Sequence, residues 1–139
     1  MILYVETSAL IKLIVEEPGS EVTTRLWDSA DTRVTSRVTY PEGRAALAAS
    51  SRAGRLTNAD HARAKSRLSH LVRAMSVVEL TETVAFEAGN LAELHEMRGY
   101  DAVHLASVLA VLSDDLVFAT WDSDLVRAAA VLGIRRISP

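Results

Sequence analysis

Short apolar runs alternate along this chain with longer segments of helical period. "ILYV" at residues 2–5 is an uninterrupted apolar run, the pattern of a strand covered on both faces. "SALIKLIVEE" (8–17) reads as a helix closed by Pro18-Gly19. Ser20 is placed to cap a second helix over 21–30, with Val22, Leu26 and Trp27 on one face. "RVTSR" (33–37) is a β-branched strand candidate. A helix over 39–52 carries Pro41 in its first turn, where a missing N–H costs nothing, and Gly54 stops it.

Thr57 to Asp60 resembles a capping box and opens a helix to residue 73. "SVVEL" (76–80) gives the third strand. Residues 82–98 form an amphipathic helix with Ala85, Ala88, Leu91, Ala92 and Leu94 inward and Gly99 as its stop. A largely apolar, buried helix spans 101–112. "LVFAT" (116–120) is the fourth strand, 123–132 the last helix and "IRRIS" (134–138) a short edge strand. Strands separated by helices imply right-handed crossovers and a mainly parallel sheet. The expected fold is α/β, a three-layer α/β/α sandwich on about five strands, with 1–139 as one domain.

Composition narrows the classes. Hydrophobic residues make up 49% of the 139, enough for a substantial core. No apolar run approaches the roughly 20 residues of a membrane span, and no basic-then-apolar start marks a signal peptide. The absence of cysteine excludes disulfides and thiolate metal sites, and fits a reducing cytoplasm.

The net charge of −3 hides an asymmetry. Residues 1–32 hold two basic and six acidic side chains, 33–73 nine and two, and 74–139 four and ten. The basic middle is either an attractor for phosphate backbone or an acidic partner, or simply a solvated helical hairpin.

In an open parallel sheet, ligands bind outside the carboxyl ends of the strands. Four acids fall there: Glu6 ends the first strand, Glu42 lies in the first turns after the second, Asp101 opens a helix, and Asp122 follows the fourth strand. Like charges brought that close must protonate or share a cation. Oxygen-only ligands suit Mg²⁺ or Mn²⁺, and such metals serve in-line phosphodiester displacement. Taken singly, Glu42, Asp101 or Asp122 could just as well answer a helix dipole. Glu6 resists that reading, because a carboxylate ending a buried strand is costly without a partner.

The stretches "ILYVETSALIKLIVEE", "TSRVTYPEGRAAL", "RGYDAVHLASVLA" and "LVFATWDSDLVRAA" resemble the PIN-domain ribonucleases, specifically VapC-type toxins of toxin–antitoxin pairs, over nearly the whole chain. The resemblance implies a bacterial, cytoplasmic endoribonuclease with Mg²⁺ or Mn²⁺ on Glu6, Glu42, Asp101 and Asp122. It also implies a homodimer and a VapB-type antitoxin that blocks the site and alone contacts operator DNA.

At position 6 the family pattern has aspartate. Glutamate keeps both oxygens but shifts them by on the order of an ångström, and misplacement of that size can cost about 100-fold in rate. The alternative is therefore an impaired PIN-fold protein that mainly binds its antitoxin. Around the acids, Ser8 would cap the first helix or bond a ligating carboxylate, and Thr120 would orient Asp122 or a water. Asp124 is an outer ligand or a surface acid. His104, one turn beyond Asp101, is a base or a packing residue. Trp121 stacks on an RNA base or packs beside the site. Arg44 holds a phosphate or forms a surface pair. A phosphoacceptor signalling module would need an aspartate after the third strand and a late lysine. Here Thr81-Glu82 follows "VVEL", and the lysines are Lys12 and Lys65.

Overall fold

The computed structural model describes residues 1–137. Five strands form one sheet: β1 (Ile2–Val5), β2 (Thr32–Ser36), β3 (Ser76–Val78), β4 (Leu116–Ala119) and β5 (Arg136–Ile137). Their order is β3-β2-β1-β4-β5 and every pairing is parallel. Seven helices fill the crossovers: α1 (Thr7–Lys12), α2 (Ser20–Ser29), α3 (Thr39–Arg52), α4 (Asn58–Arg73), α5 (Glu82–His95), α6 (Gly99–Ala110) and α7 (Ser123–Val131). β1 is central, and the chain winds outward from it in both directions. The crevice between the ends of β1 and β4 is thus the topological switch point, where such sheets bind ligands.

The period-2 geometry of the central strands divides the core into two layers. Tyr4, Leu116 and Phe118 point into one cluster with residues of α5, α6 and α7. Leu3, Val5, Val117 and Ala119 point into the other, against α1, α3 and α4. This is why both strands read as unbroken apolar runs. α6 is buried continuously from Asp101 to Val108, so its apolar character extends round the helix.

Several boundaries move for local reasons. The helix expected over 8–17 ends at Lys12, because the chain tightens into i→i−3 bonds from Leu13 to Leu10 and from Ile14 to Ile11. Gly19, not Ser20, occupies the cap of α2, at φ 98°. Ser20 instead folds its hydroxyl back, accepting from Glu17 N and donating to Val15 O. α5 stops at His95 and not at Gly99. Glu96 takes the left-handed conformation (φ 52°), and the Met97 N–H bonds Ala92 O as Met97 turns into the core. Gly99 then opens α6 two residues before the expected start. Val84 takes an inward place on α5, while Ala85 and Leu94 face solvent. The edge strand is confined to Arg136–Ile137, and Ser138 lies outside the described residues.

Thr57 caps α4 as its sequence indicates, accepting from Asp60 N at 3.0 Å. Thr57→Ala should cost about 1 kcal/mol. The check is thermal unfolding, with an expected fall in Tm of about 3–4 °C.

Candidate active site

The acids reach one place because four elements begin or end there. Glu6 follows β1, Asp122 follows β4, Glu42 is in the first turn of α3, and Asp101 is in the first turn of α6. All four line a cleft of ≈430 Å³ together with Thr7, Ser8, Lys12, Arg98 and Trp121.

Glu6 is 5% exposed and is itself the cap of α1. Its Oε2 accepts from Ser8 N and Thr120 Oγ1, each at 3.0 Å, and from the Ser8 hydroxyl. Burial pushes its carboxyl above the usual range, against the pull of His104 and these donors. Ser8 therefore serves the acid and does not cap the helix. Its Oγ also accepts from Trp121 N at 2.8 Å, tying the end of β1 to the end of β4. Thr120 does the same from the other side, accepting from Asp122 N at 3.1 Å.

Asp122 caps α7, its Oδ1 accepting from Asp124 N and Leu125 N at 3.0 Å. Glu42 Oε1 accepts from Thr7 Oγ1 at 2.8 Å and from His104 Nε2 at 2.6 Å. Burial is the largest single influence and raises the Glu42 carboxyl, but the bond and charge of His104, the Thr7 bond and the charge of Arg98 together outweigh it, and the net position is below the ordinary value. His104 is fully buried, and its Nδ1 meets the Tyr4 hydroxyl at 3.0 Å. Burial disfavours its charged form, yet the Glu42 bond and the surrounding acids hold its pKa above the usual one. It is a buried link between strand β1 and the acid on α3, with no place on the cleft wall.

Asp101, Asp122 and Asp124 form a group in which each offers a carboxylate oxygen within 4.8 Å of the others. Glu6 and Glu42 line the cleft but stand outside this group. Burial and the charge of Asp122 raise the Asp101 carboxyl, while Arg98 draws it down. One oxygen of Glu6, Glu42 and Asp122 is bonded by the protein. In each, the other oxygen has no hydrogen bond among the described residues, although Asp122 Oδ2 lies 3.7 Å from Arg98. An all-oxygen donor set of this kind fits Mg²⁺ or Mn²⁺.

Arg98 is the residue that sequence reading missed. Its Nε donates to Asp101 Oδ2 at 3.0 Å. The signal was its (i, i+3) spacing from Asp101, just ahead of α6. Of two other candidates, one lies outside the cleft and one lines it. Arg44 bonds the Tyr40 hydroxyl at 2.8 Å and does not line the cleft. Trp121 packs on Gly19, where an added Cβ would lie 2.9 Å from the indole Nε1, and under Lys12 at 5.2 Å.

Acids gathered at the switch point of a parallel α/β sheet define a polar-site protein of the doubly wound class. Residues 3–131 match the PIN domain family. The chain is 46% identical to Ribonuclease VapC45 of Mycobacterium tuberculosis over 134 residues, 96% of this chain and 93% of that protein. The crystal structure of M. tuberculosis VapC20, a sarcin-ricin loop cleaving toxin, superposes with a TM-score of 0.71 at 19% identity, covering 91% and 94% of the two chains. VapBC2 from Rickettsia felis, bound to a DNA fragment from its promoter, gives 0.66 at 12% identity, over 99% and 98%. This chain belongs to the PIN-domain family, as a VapC-type ribonuclease.

Proposed function

We propose that this chain is the endoribonuclease toxin of a toxin–antitoxin pair, hydrolysing RNA phosphodiester bonds with Mg²⁺ or Mn²⁺ at the acid cleft. The observation that carries this is the convergence of Asp101, Asp122 and Asp124 within 4.8 Å, beside Glu6 and Glu42. The metal would supply charge neutralisation and an activated water. Asp101 and Asp122 would hold it with Asp124, and Glu6 and Glu42 would add their charge from the same cleft. Ser8 and Thr120 fix the Glu6 carboxylate, and Thr7 and His104 fix that of Glu42. Arg98 would meet the negative charge of the substrate at the rim. The basic 33–73 segment would hold RNA.

The relatives' pairing with antitoxins supports a VapB-type partner, with operator DNA reached only through it. Exposed Phe86 and Leu94 on α5 support a protein partner or a homodimer. No helix among the described residues is long and apolar enough to cross a membrane.

A second reading rests on Glu6, which is buried, bonded by three donors and outside the three-aspartate group. If its longer side chain spoils the cage, the protein is an impaired nuclease that keeps antitoxin binding. Antitoxin-free protein separates the two. RNA cleavage by the chain itself, dependent on Mg²⁺ or Mn²⁺ and stopped by chelation, supports the first. Cleavage only after Glu6→Asp, with a gain of about 100-fold, supports the second. Silence from both proteins with Mn²⁺ bound in calorimetry would exclude ribonuclease activity.

A further inference from the structure

The acid cleft continues into a second cavity. This one holds ≈540 Å³ and shares Glu42, Arg98 and Asp101 with the first. Its other walls carry almost no polar side chains. Ala85, Ala88, Gly89 and Ala92 of α5 form one side, with Leu80, Val103 and Gly99 around them. No side chain larger than a methyl group projects from α5 here, so a slot stays open between α5 and the start of α6. A Cβ added at Gly89 would meet nothing within 4 Å.

Tyr100 stands at the rim, 63% exposed, a large aromatic ring left in water beside a charged site. The first turn of α6 forms the same edge, and among the described residues no side chain caps it. Its N–H groups are therefore available to an acceptor.

Resting on the ribonuclease reading, we propose that this slot takes one unstacked nucleobase of the RNA, adjacent to the bond that is cut, with Tyr100 stacked on its face. Three features favour a base over other occupants. The slot opens directly onto the acids, so whatever fills it lies within one nucleotide of the reacting phosphate. Arg98 lines both cavities and can meet the phosphate that joins base and scissile bond. An apolar slot with an exposed aromatic ring at its rim and N–H donors at its edge suits the unstacked bases of single-stranded RNA, which proteins hold by stacking and edge hydrogen bonds. The volume lies within the usual range of small-ligand sites. Tyr100 is then a specificity residue, binding the substrate without touching the reacting atoms.

The test uses short RNAs in which each position around the cleaved bond is made abasic in turn, with the parent protein, Tyr100→Phe and Tyr100→Ala. One flanking position should matter. There the loss of the base should lower kcat/KM by about 10-fold for the parent and Tyr100→Phe. Tyr100→Ala should cut intact RNA about 10-fold less efficiently, mainly through KM, and be indifferent to the abasic change. As an independent readout, 2-aminopurine at that position should be quenched on mixing with the parent and Tyr100→Phe but not with Tyr100→Ala. Normal kinetics and quenching in Tyr100→Ala would overturn the proposal and leave the slot to an apolar side chain of a protein partner. No cleavage by any protein would sink the ribonuclease reading. A quench lost only in Tyr100→Ala would then still uphold the base site.

Discussion

Asp101→Asn should lower metal-dependent RNA cleavage by about 100-fold or more without lowering the melting temperature. The expectation comes from two opposite consequences of one charge. For the reaction, Asp101 is one of the three aspartates that would hold the metal, and an amide oxygen is a neutral, weaker ligand. For the fold, with no cation bound, its charge is a burden. Burial and the neighbouring Asp122 raise its carboxyl above the ordinary value. A carboxyl raised in the folded state binds more protons there than in the unfolded chain. Stability therefore falls as pH climbs through that range, and asparagine removes the loss. The lost Arg98 contact offsets little, since that guanidinium is 78% exposed. Cleavage assays and thermal melts in chelator check both halves. Parent-like cleavage would remove Asp101 from the site. A large fall in Tm would make it a structural acid.

The sheet and its helices were legible because both faces are covered. β1 and β4 alternate their side chains between two apolar layers, so each reads as a solid run. What escaped were features set by tertiary demand. Glu96 has no propensity for φ 52° and adopts it because Met97 must turn into the core. Leu94 looks like a core residue by type, yet it is 75% exposed on the outer face of α5.

In the site, a helix-dipole role and a ligand role were alternatives for Glu42, Asp101 and Asp122, but a carboxylate can serve a helix end with one oxygen and keep the other for a cation. Glu6 caps α1 with Oε2 and Asp122 caps α7 with Oδ1, while the second oxygen of each makes no hydrogen bond among the described residues. A sequence pattern registers the residue type and cannot assign its two oxygens. Arg98 was missed for a related reason. Its charge was counted in the acidic segment 74–139, while its effect depends on standing one helical turn before Asp101.

His104→Ala should be the most destabilising change near the site, at about 3 kcal/mol, or about 10 °C in Tm. The ring is fully buried and packs edge-on against Tyr4 at 6.1 Å. Its removal opens a cavity and takes the His104 partner from the buried Tyr4 hydroxyl, while Glu42 keeps only Thr7. Cleavage should fall as well, because the freed Glu42 carboxylate loses its fixed orientation. His104→Gln keeps a donor in reach of Glu42 and should recover part of both losses. The pH dependence identifies the cause. A histidine whose folded pKa is raised contributes its full stabilisation below the unfolded value of about 6.5 and loses it as pH rises through the folded value. The gap between parent and His104→Ala should therefore narrow on the alkaline side, down to what packing and the hydrogen bonds of the neutral ring contribute. A gap that stays constant across that range would mean that packing and neutral hydrogen bonds account for all of it, and that the imidazolium charge contributes nothing to the fold.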